Sequence, residues 1–106
     1  MKKIKKIINL KNKRPLICLT AYSKPFAKIL DNYCDIILVG DSLATARLGM
    51  KNTQHVNLET MIQHGISVKS NVSKSVCVVD MPANSYKNIK QAKKNAKLIF
   101  NKTKCD

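Results

Sequence analysis

Tryptophan is absent from this 106-residue chain, and Phe and Tyr together make up only 5% of it. So few aromatic rings leave little for single-stranded bases to stack on. Glycine is scarce too, at three residues, and neither G-x-G-x-x-G nor G-x-x-x-x-G-K-S/T occurs. The common phosphate-cradling loops are therefore excluded. No apolar run approaches the roughly 18 residues that span a bilayer. Cysteines stand at Cys18, Cys34, Cys77 and Cys105, never at C-x-x-C spacing, so a zinc or thioredoxin-like site has no support. Cys18 and Cys77 lie inside apolar runs and read as small core residues of a reducing compartment.

Acidic residues are the scarcest charge: six against 20 Lys and Arg, a net charge of +14. A basic chain invites a nucleic-acid or polyanion reading. Against it, only two of the 20 are Arg, the residue that forks onto phosphates and guanine edges. The lysines are also spread along the whole chain. Abundant Lys, Asn and Ile together look like an AT-rich coding bias. A small basic nucleic-acid-binding protein stays as the alternative, tested by steeply salt-dependent binding.

What is present is a 44% apolar content and a repeating order. Residues 1–14 read as a basic lead-in with a short helix carrying Ile4, Ile7 and Ile8. This segment lacks the unbroken apolar stretch of a secretory signal and the Arg and Ser of a transit peptide, so a cytoplasmic address is expected. Leu16 to Tyr22 reads as a strand buried on both faces. Ser23 then caps a helix with Pro25 in its first turn and Phe26, Ile29, Leu30 and Tyr33 on its apolar face. Ile36 to Val39 is a second strand, ending in Gly40-Asp41-Ser42, with a loop after it. Asn57 caps a helix whose face is Leu58, Met61, Ile62 and Val68. Val76 to Val79 is a third strand, ending in Asp80-Met81-Pro82. Asn88 to Phe100 is a third helix with Ala92, Ala96 and Ile99 inward and Lys87, Lys90, Lys93, Lys94 and Lys97 in water.

The order β-α-β-α-β-α with continuous apolar strands predicts an α/β fold with a parallel sheet. An open doubly wound sheet and a closed eight-stranded barrel both fit that order. Either one places chemistry at the carboxyl ends of the strands. Asp41 and Asp80 occupy those ends on consecutive strands. Two carboxylates in one mouth repel unless a cation or proton sits between them, and Mg²⁺ suits such a pair. Each acid also fits an ordinary loop or capping role. Ser42 suits a hydrogen bond to an anionic ligand or a turn cap; without G-x-S-x-G it does not read as a nucleophile. His64 reads as a packed or surface histidine, His55 as solvated. Tyr22 and Tyr86 flank strand ends and are candidates to line the mouth.

Thr20-Ala21-Tyr22, Leu38-Val39-Gly40-Asp41-Ser42-Leu43, Gly49 with Thr53, His64, and Asp80-Met81-Pro82 with Ser85-Tyr86 occur in one order and register. From about Arg14 to Phe100 the chain resembles the ketopantoate hydroxymethyltransferase family. The resemblance implies the first three βα units of a (β/α)8 TIM-type barrel, a homo-oligomer (typically a decamer) and a Mg²⁺-dependent enzyme of pantothenate biosynthesis. It implies hydroxymethyl transfer from 5,10-methylenetetrahydrofolate to 3-methyl-2-oxobutanoate, giving 2-dehydropantoate. By motif position, Asp41 and Asp80 would hold Mg²⁺, and Asp41, Ser42 and Asp80 would contact the keto acid. Ser23 stands where the family usually has Asp, Ala44 where it has Gly, and Ala83-Asn84 where Phe follows D-L-P; these positions bear on loop shape and substrate fit. The family's V-K-x-E-G strand and catalytic Glu are expected beyond Asp106, so residues 15–106 read as a partial barrel, truncated before the fourth strand and inactive by itself. A truncated gene product with no activity is the third reading.

Overall fold

The computed structural model describes residues 2–106. Its elements run α1 (Lys2–Ile8), β1 (Cys18–Thr20), α2 (Lys24–Leu30), β2 (Ile36–Val39), α3 (Leu43–Ala46), α4 (Leu58–Lys69), β3 (Val76–Val79) and α5 (Ile89–Thr103). The strands form one parallel sheet in the order β1-β2-β3. Helical crossovers between parallel neighbours are what chain sterics favour. The fold is thus α/β with a three-stranded parallel sheet, as the sequence order predicts.

Side chains alternate across a sheet, and registered residues of parallel strands share a face. Leu19, Ile37 and Cys77 are in register, as are Val39 and Val79. On this face Ile37, Val39 and Cys77 are fully buried in one cluster with Ala27, Leu43, Met61 and Val68. Burying each such aliphatic side chain stabilises by roughly 1.5–3 kcal/mol. The helices α4 and α5 start where their caps dictate. Asn57 accepts from the Thr60 N–H at 2.8 Å, and Asn88 from the Gln91 N–H at 2.8 Å.

The opposite face carries Cys18, Ile36 and Val76, and Thr20, Leu38 and Val78; Val76 is buried beside Lys3, Lys6 and Ile7 of α1, whereas Cys18, Thr20 and Val78 are exposed. This corrects the expectation of strands buried on both faces. β1 is three residues long, and all three are exposed. Cys18 is exposed, whereas Cys77 is buried as expected. A continuous apolar run marks a strand with two apolar faces, but burying the second face along its whole length requires another layer, and among the described residues that face is covered only at its Val76 end.

Helix faces are corrected for the same reason. On α2 Ala27 is buried and Leu30 packs against the core as expected, while Phe26 and Ile29, and Tyr33 just beyond the helix, are 64%, 59% and 72% exposed. On α5 Ile99 and Thr103 are buried and Ala96 is exposed; the five lysines face water as predicted. Ser23 stands at the N-cap of α2, yet its side chain makes no capping bond. The segment after Ser42, expected as loop, begins with the short helix α3.

The basic lead-in is tied to the sheet. Lys3 Nζ donates to the Ser75 carbonyl at 2.9 Å, and Arg14 grips both carboxylate oxygens of Asp35 at 2.8 and 2.6 Å. Both contacts lie at the amino ends of β2 and β3, opposite the acidic strand ends.

Candidate functional site at the carboxyl ends of the strands

β2 ends at Val39 and β3 at Val79, partners in the sheet register, so Gly40-Asp41 and Asp80 leave adjacent strands at one level. The Asp80 N–H still donates to the Val39 carbonyl at 3.0 Å, extending the ladder by one step. Asp80 Oδ2 then accepts the backbone N–H of Asp41 at 3.1 Å. The two acids predicted from the sequence are brought together, with one orienting the backbone of the other.

Gly40 forms the floor between them. A Cβ there would lie 3.1 Å from Ser42 Oγ and 3.5 Å from Asp80 Oδ2. Glycine therefore leaves space in the mouth that any other residue would fill.

Ser42 opens α3, but its hydroxyl does not cap that helix. It shares a 2.7 Å hydrogen bond with the Tyr22 hydroxyl. Tyr22 is braced in turn: its carbonyl lies 2.6 Å from His64 Nδ1. A carbonyl only accepts, so Nδ1 carries the proton and donates. His64, half-buried on α4, holds the β1 end against the second crossover helix. Ser42, Tyr22 and His64 thus form one chain of contacts. Sequence reading offered Tyr22 only as a mouth-lining residue and His64 only as packed or exposed. The T-A-Y element at a strand end was the signal for Tyr22; the distance of 42 residues between His64 and Tyr22 left no signal for the brace.

Tyr86 is 56% exposed. His55 lines a different cleft, between the start of α4 and the loop after Asp80, with Pro82, Ala83 and Asn84. That loop is a tight turn. Ser85 Oγ donates to the Pro82 carbonyl at 2.6 Å, Asn95 Nδ2 donates to the Ser85 carbonyl at 2.7 Å, and Asn84 adopts φ +66°. Asn tolerates the left-handed region better than most side chains. A second cleft, of about 410 Å³, is bordered by Tyr22, Ser23, Phe26 and Arg47 and touches neither acid.

The donors available to a ligand are all oxygens: the Asp41 carboxylate, Asp80 and the Ser42 hydroxyl. Among the described residues the Asp41 carboxylate takes part in no ion pair. Nor do three or more His, Cys, Asp or Glu cluster as a self-sufficient metal cage. This set fits Mg²⁺, which takes one or two protein carboxylates and completes its octahedron with water and substrate oxygens. It does not fit a structural zinc site, which wants four N or S ligands.

No helix among the described residues is long and apolar enough to cross a membrane. The family model of ketopantoate hydroxymethyltransferase matches residues 1–106. A protein of Pelagibacter ubique named 3-methyl-2-oxobutanoate hydroxymethyltransferase is 52% identical over 105 residues, covering 99% of this chain and 41% of its own length. Proteins of the same name from Rhizobium etli and Anaplasma marginale are 46% identical over 102 residues and 50% identical over 91. They are covered over 37% and 33% of their lengths, against 95% and 86% of this chain. The chain spans about two fifths or less of the length of these curated relatives. With the strand-end acids, the parallel sheet and a match along its whole length, this chain belongs to the ketopantoate hydroxymethyltransferase family.

Proposed function

We propose that the chain forms the first three βα units of a (β/α)8 barrel and supplies the Mg²⁺ and keto-acid half of a ketopantoate hydroxymethyltransferase site. In this reading a hydroxymethyl group passes from 5,10-methylenetetrahydrofolate to 3-methyl-2-oxobutanoate, giving 2-dehydropantoate for pantothenate synthesis. The observation that carries it is the hydrogen bond from the Asp41 N–H to Asp80 Oδ2, which places two acids of adjacent strands at one mouth. Asp41 and Asp80 would hold the metal, and Ser42 would donate to the substrate carboxylate. Bound Mg²⁺ would stabilise negative charge on the ketone oxygen as the neighbouring C–H is deprotonated.

The chain's own residues orient and bind. Tyr22 fixes the Ser42 rotamer, His64 fixes Tyr22, and Gly40 leaves room for the keto acid. With both acids assigned to the metal, neither is free to take the substrate proton, and His64 spends its Nδ1 proton on the Tyr22 carbonyl. The 106-residue chain is therefore proposed to bind without turnover. The whole-barrel and decameric assembly implied by the family resemblance belongs to the same proposal.

Titrating the chain with Mg²⁺ and 3-methyl-2-oxobutanoate while following amide resonances tests this reading. Shifts should concentrate at Gly40–Ser42 and Asp80 and vanish in Asp41→Asn and Asp80→Asn. Shifts elsewhere, or shifts that survive both substitutions, refute the site. Release of 2-dehydropantoate by the chain alone refutes the claim that it only binds.

A further inference from the structure

The chain has two arginines, and their guanidinium groups are used differently. Arg14 grips both carboxylate oxygens of Asp35. Among the described residues Arg47 forms no ion pair. Arg47 stands at the C-cap of α3, the helix that Ser42 opens. At about 1.5 Å per residue, α3 carries the chain only about 7–8 Å from Ser42 to Arg47.

Arg47 borders the cleft of about 410 Å³ together with Tyr22, Ser23 and Phe26. That volume is in the range of small-molecule sites. No acid lines it. The Tyr22 hydroxyl is spent on Ser42 at 2.7 Å, so Tyr22 is the partition between this cleft and the acid mouth. Phe26, largely exposed, is a second ring on the wall. Ser23 makes no capping bond to α2 and adds a hydroxyl. Two rings, a hydroxyl and an unpaired fork of N–H donors suit a flat aromatic ligand that carries a carboxylate. A cation alone draws any anion; the rings select one with an aryl group.

A folate-type one-carbon donor has that composition. Its transferable carbon is held at an aryl nitrogen, and its glutamyl carboxylates lie one ring and one amide further out. We propose that the cleft seats the aryl-glutamate tail of the one-carbon donor, with Arg47 forking onto a carboxylate and Phe26 and Tyr22 flanking the ring. The keto acid at Ser42 and the donor's carboxylate at Arg47 then lie at the two ends of α3, with the reacting carbon between them. The role as a donor site rests on the keto-acid reading of Ser42; the affinity of the cleft for an aryl carboxylate does not.

Titrating the chain with p-aminobenzoylglutamate, followed by amide resonances and the Arg47 Nε signal, tests the cleft. Saturable shifts are expected at Tyr22, Ser23 and Arg47. Arg47→Gln removes both the charge and the fork and should weaken binding at least about fivefold, Arg47→Lys less. Ser23→Asp sets a carboxylate on the same wall and should also weaken binding severalfold. Arg47 is exposed, so its variants should keep the fold. Glutamate without the aryl group should bind at least about tenfold more weakly. Asp41→Asn should leave the affinity for p-aminobenzoylglutamate unchanged while removing Mg²⁺ binding, so failure of the metal reading and failure of the cleft are told apart. No saturable shift, an affinity indifferent to Arg47→Gln, or glutamate binding as tightly as the aryl ligand each overturns the proposal.

Discussion

Asp80 Oδ2 accepts the backbone N–H of Asp41 across the gap between two parallel strands. The bond links the two acids asymmetrically. Asp80 spends one lone pair on positioning, while the Asp41 carboxylate has no such duty. Removing the acceptor and removing the charge should therefore have different effects. Asp80→Ala leaves a half-buried N–H without its partner and should cost about 1–2 kcal/mol in a denaturant midpoint measurement. Asp80→Asn keeps an oxygen acceptor and should cost less than half of that. Both should abolish Mg²⁺ binding. Equal stability of the two variants would mean that the bond has no structural role.

Tyr22→Phe isolates the hydroxyl that holds Ser42. The ring stays packed, and the Tyr22 carbonyl still receives His64, so stability should fall by only about 0.5–1.5 kcal/mol, the worth of one hydrogen bond. Ser42 is then free to rotate. Keto-acid affinity should drop severalfold while Mg²⁺ affinity is unchanged, because the acids are untouched. Parallel titrations of both ligands against Tyr22→Phe measure this split; a loss of metal affinity would place Tyr22 in the metal site itself.

Much of this arrangement was readable in the sequence, and the unread parts share one cause. Strand-end acids are legible because position along a strand is local information. So are the Asn57 and Asn88 caps, which precede periodic apolar segments. The fate of Cys18, Phe26, Ile29 and Tyr33 was not legible. Their apolar character states that a face wants cover, but the cover is supplied by other parts of a fold, far away in sequence. Ala96 failed for the converse reason: alanine fits either face, so periodicity alone misplaced it. The short helix α3 escaped notice because four residues hold too little periodicity to be seen. The Tyr22–His64 contact joins the segment just after one strand to the second turn of a later helix, a distance no spacing rule covers.

Asp31 predicts the acid limb of stability. It closes α2 at the C-cap, where a negative charge is disfavoured by the helix dipole. It stays because its buried carboxylate gathers the N–H groups of Ser73, Lys74 and Ser75, at 2.8 to 3.1 Å, and the Ser73 hydroxyl. Burial works to raise its pKa, but the bonds from Ser75, Ser73 and Lys74 outweigh it and hold the carboxyl well below the usual range. Asp35, gripped chiefly by Arg14 and the Ile17 N–H, is held at about 2. Both are depressed in the folded state, so the unfolded chain takes up protons first as pH falls. Their stabilisation is complete above the ordinary carboxylate pKa of about 4 and is lost progressively below it. Urea midpoints measured from pH 6 to pH 2 should fall steadily below pH 4. Asp31→Asn should be less stable at pH 6 and should show a flatter acid slope.

Gly65→Ala sets helix propensity against packing. Alanine in a helix interior is ordinarily worth about 1 kcal/mol over glycine. At this site the added Cβ would lie 2.7 Å from Thr103 Cγ2 and 3.2 Å from Val79 Cγ2. Thr103 cannot simply swing aside. It is buried, and its hydroxyl donates to the Ile99 carbonyl at 2.8 Å, which holds the methyl towards α4. Overpacking of this kind costs about 1–3 kcal/mol, so with the propensity gain set against it Gly65→Ala should destabilise by up to about 2 kcal/mol net. Replacing the offending methyl changes the sign. In Gly65→Ala with Thr103→Ser the hydroxyl bond survives and the space opens, so the double variant should recover most of the loss relative to Thr103→Ser alone. Thermal unfolding of the four proteins in this cycle measures the coupling, and a coupling near zero would place the strain of Gly65→Ala elsewhere than at Thr103.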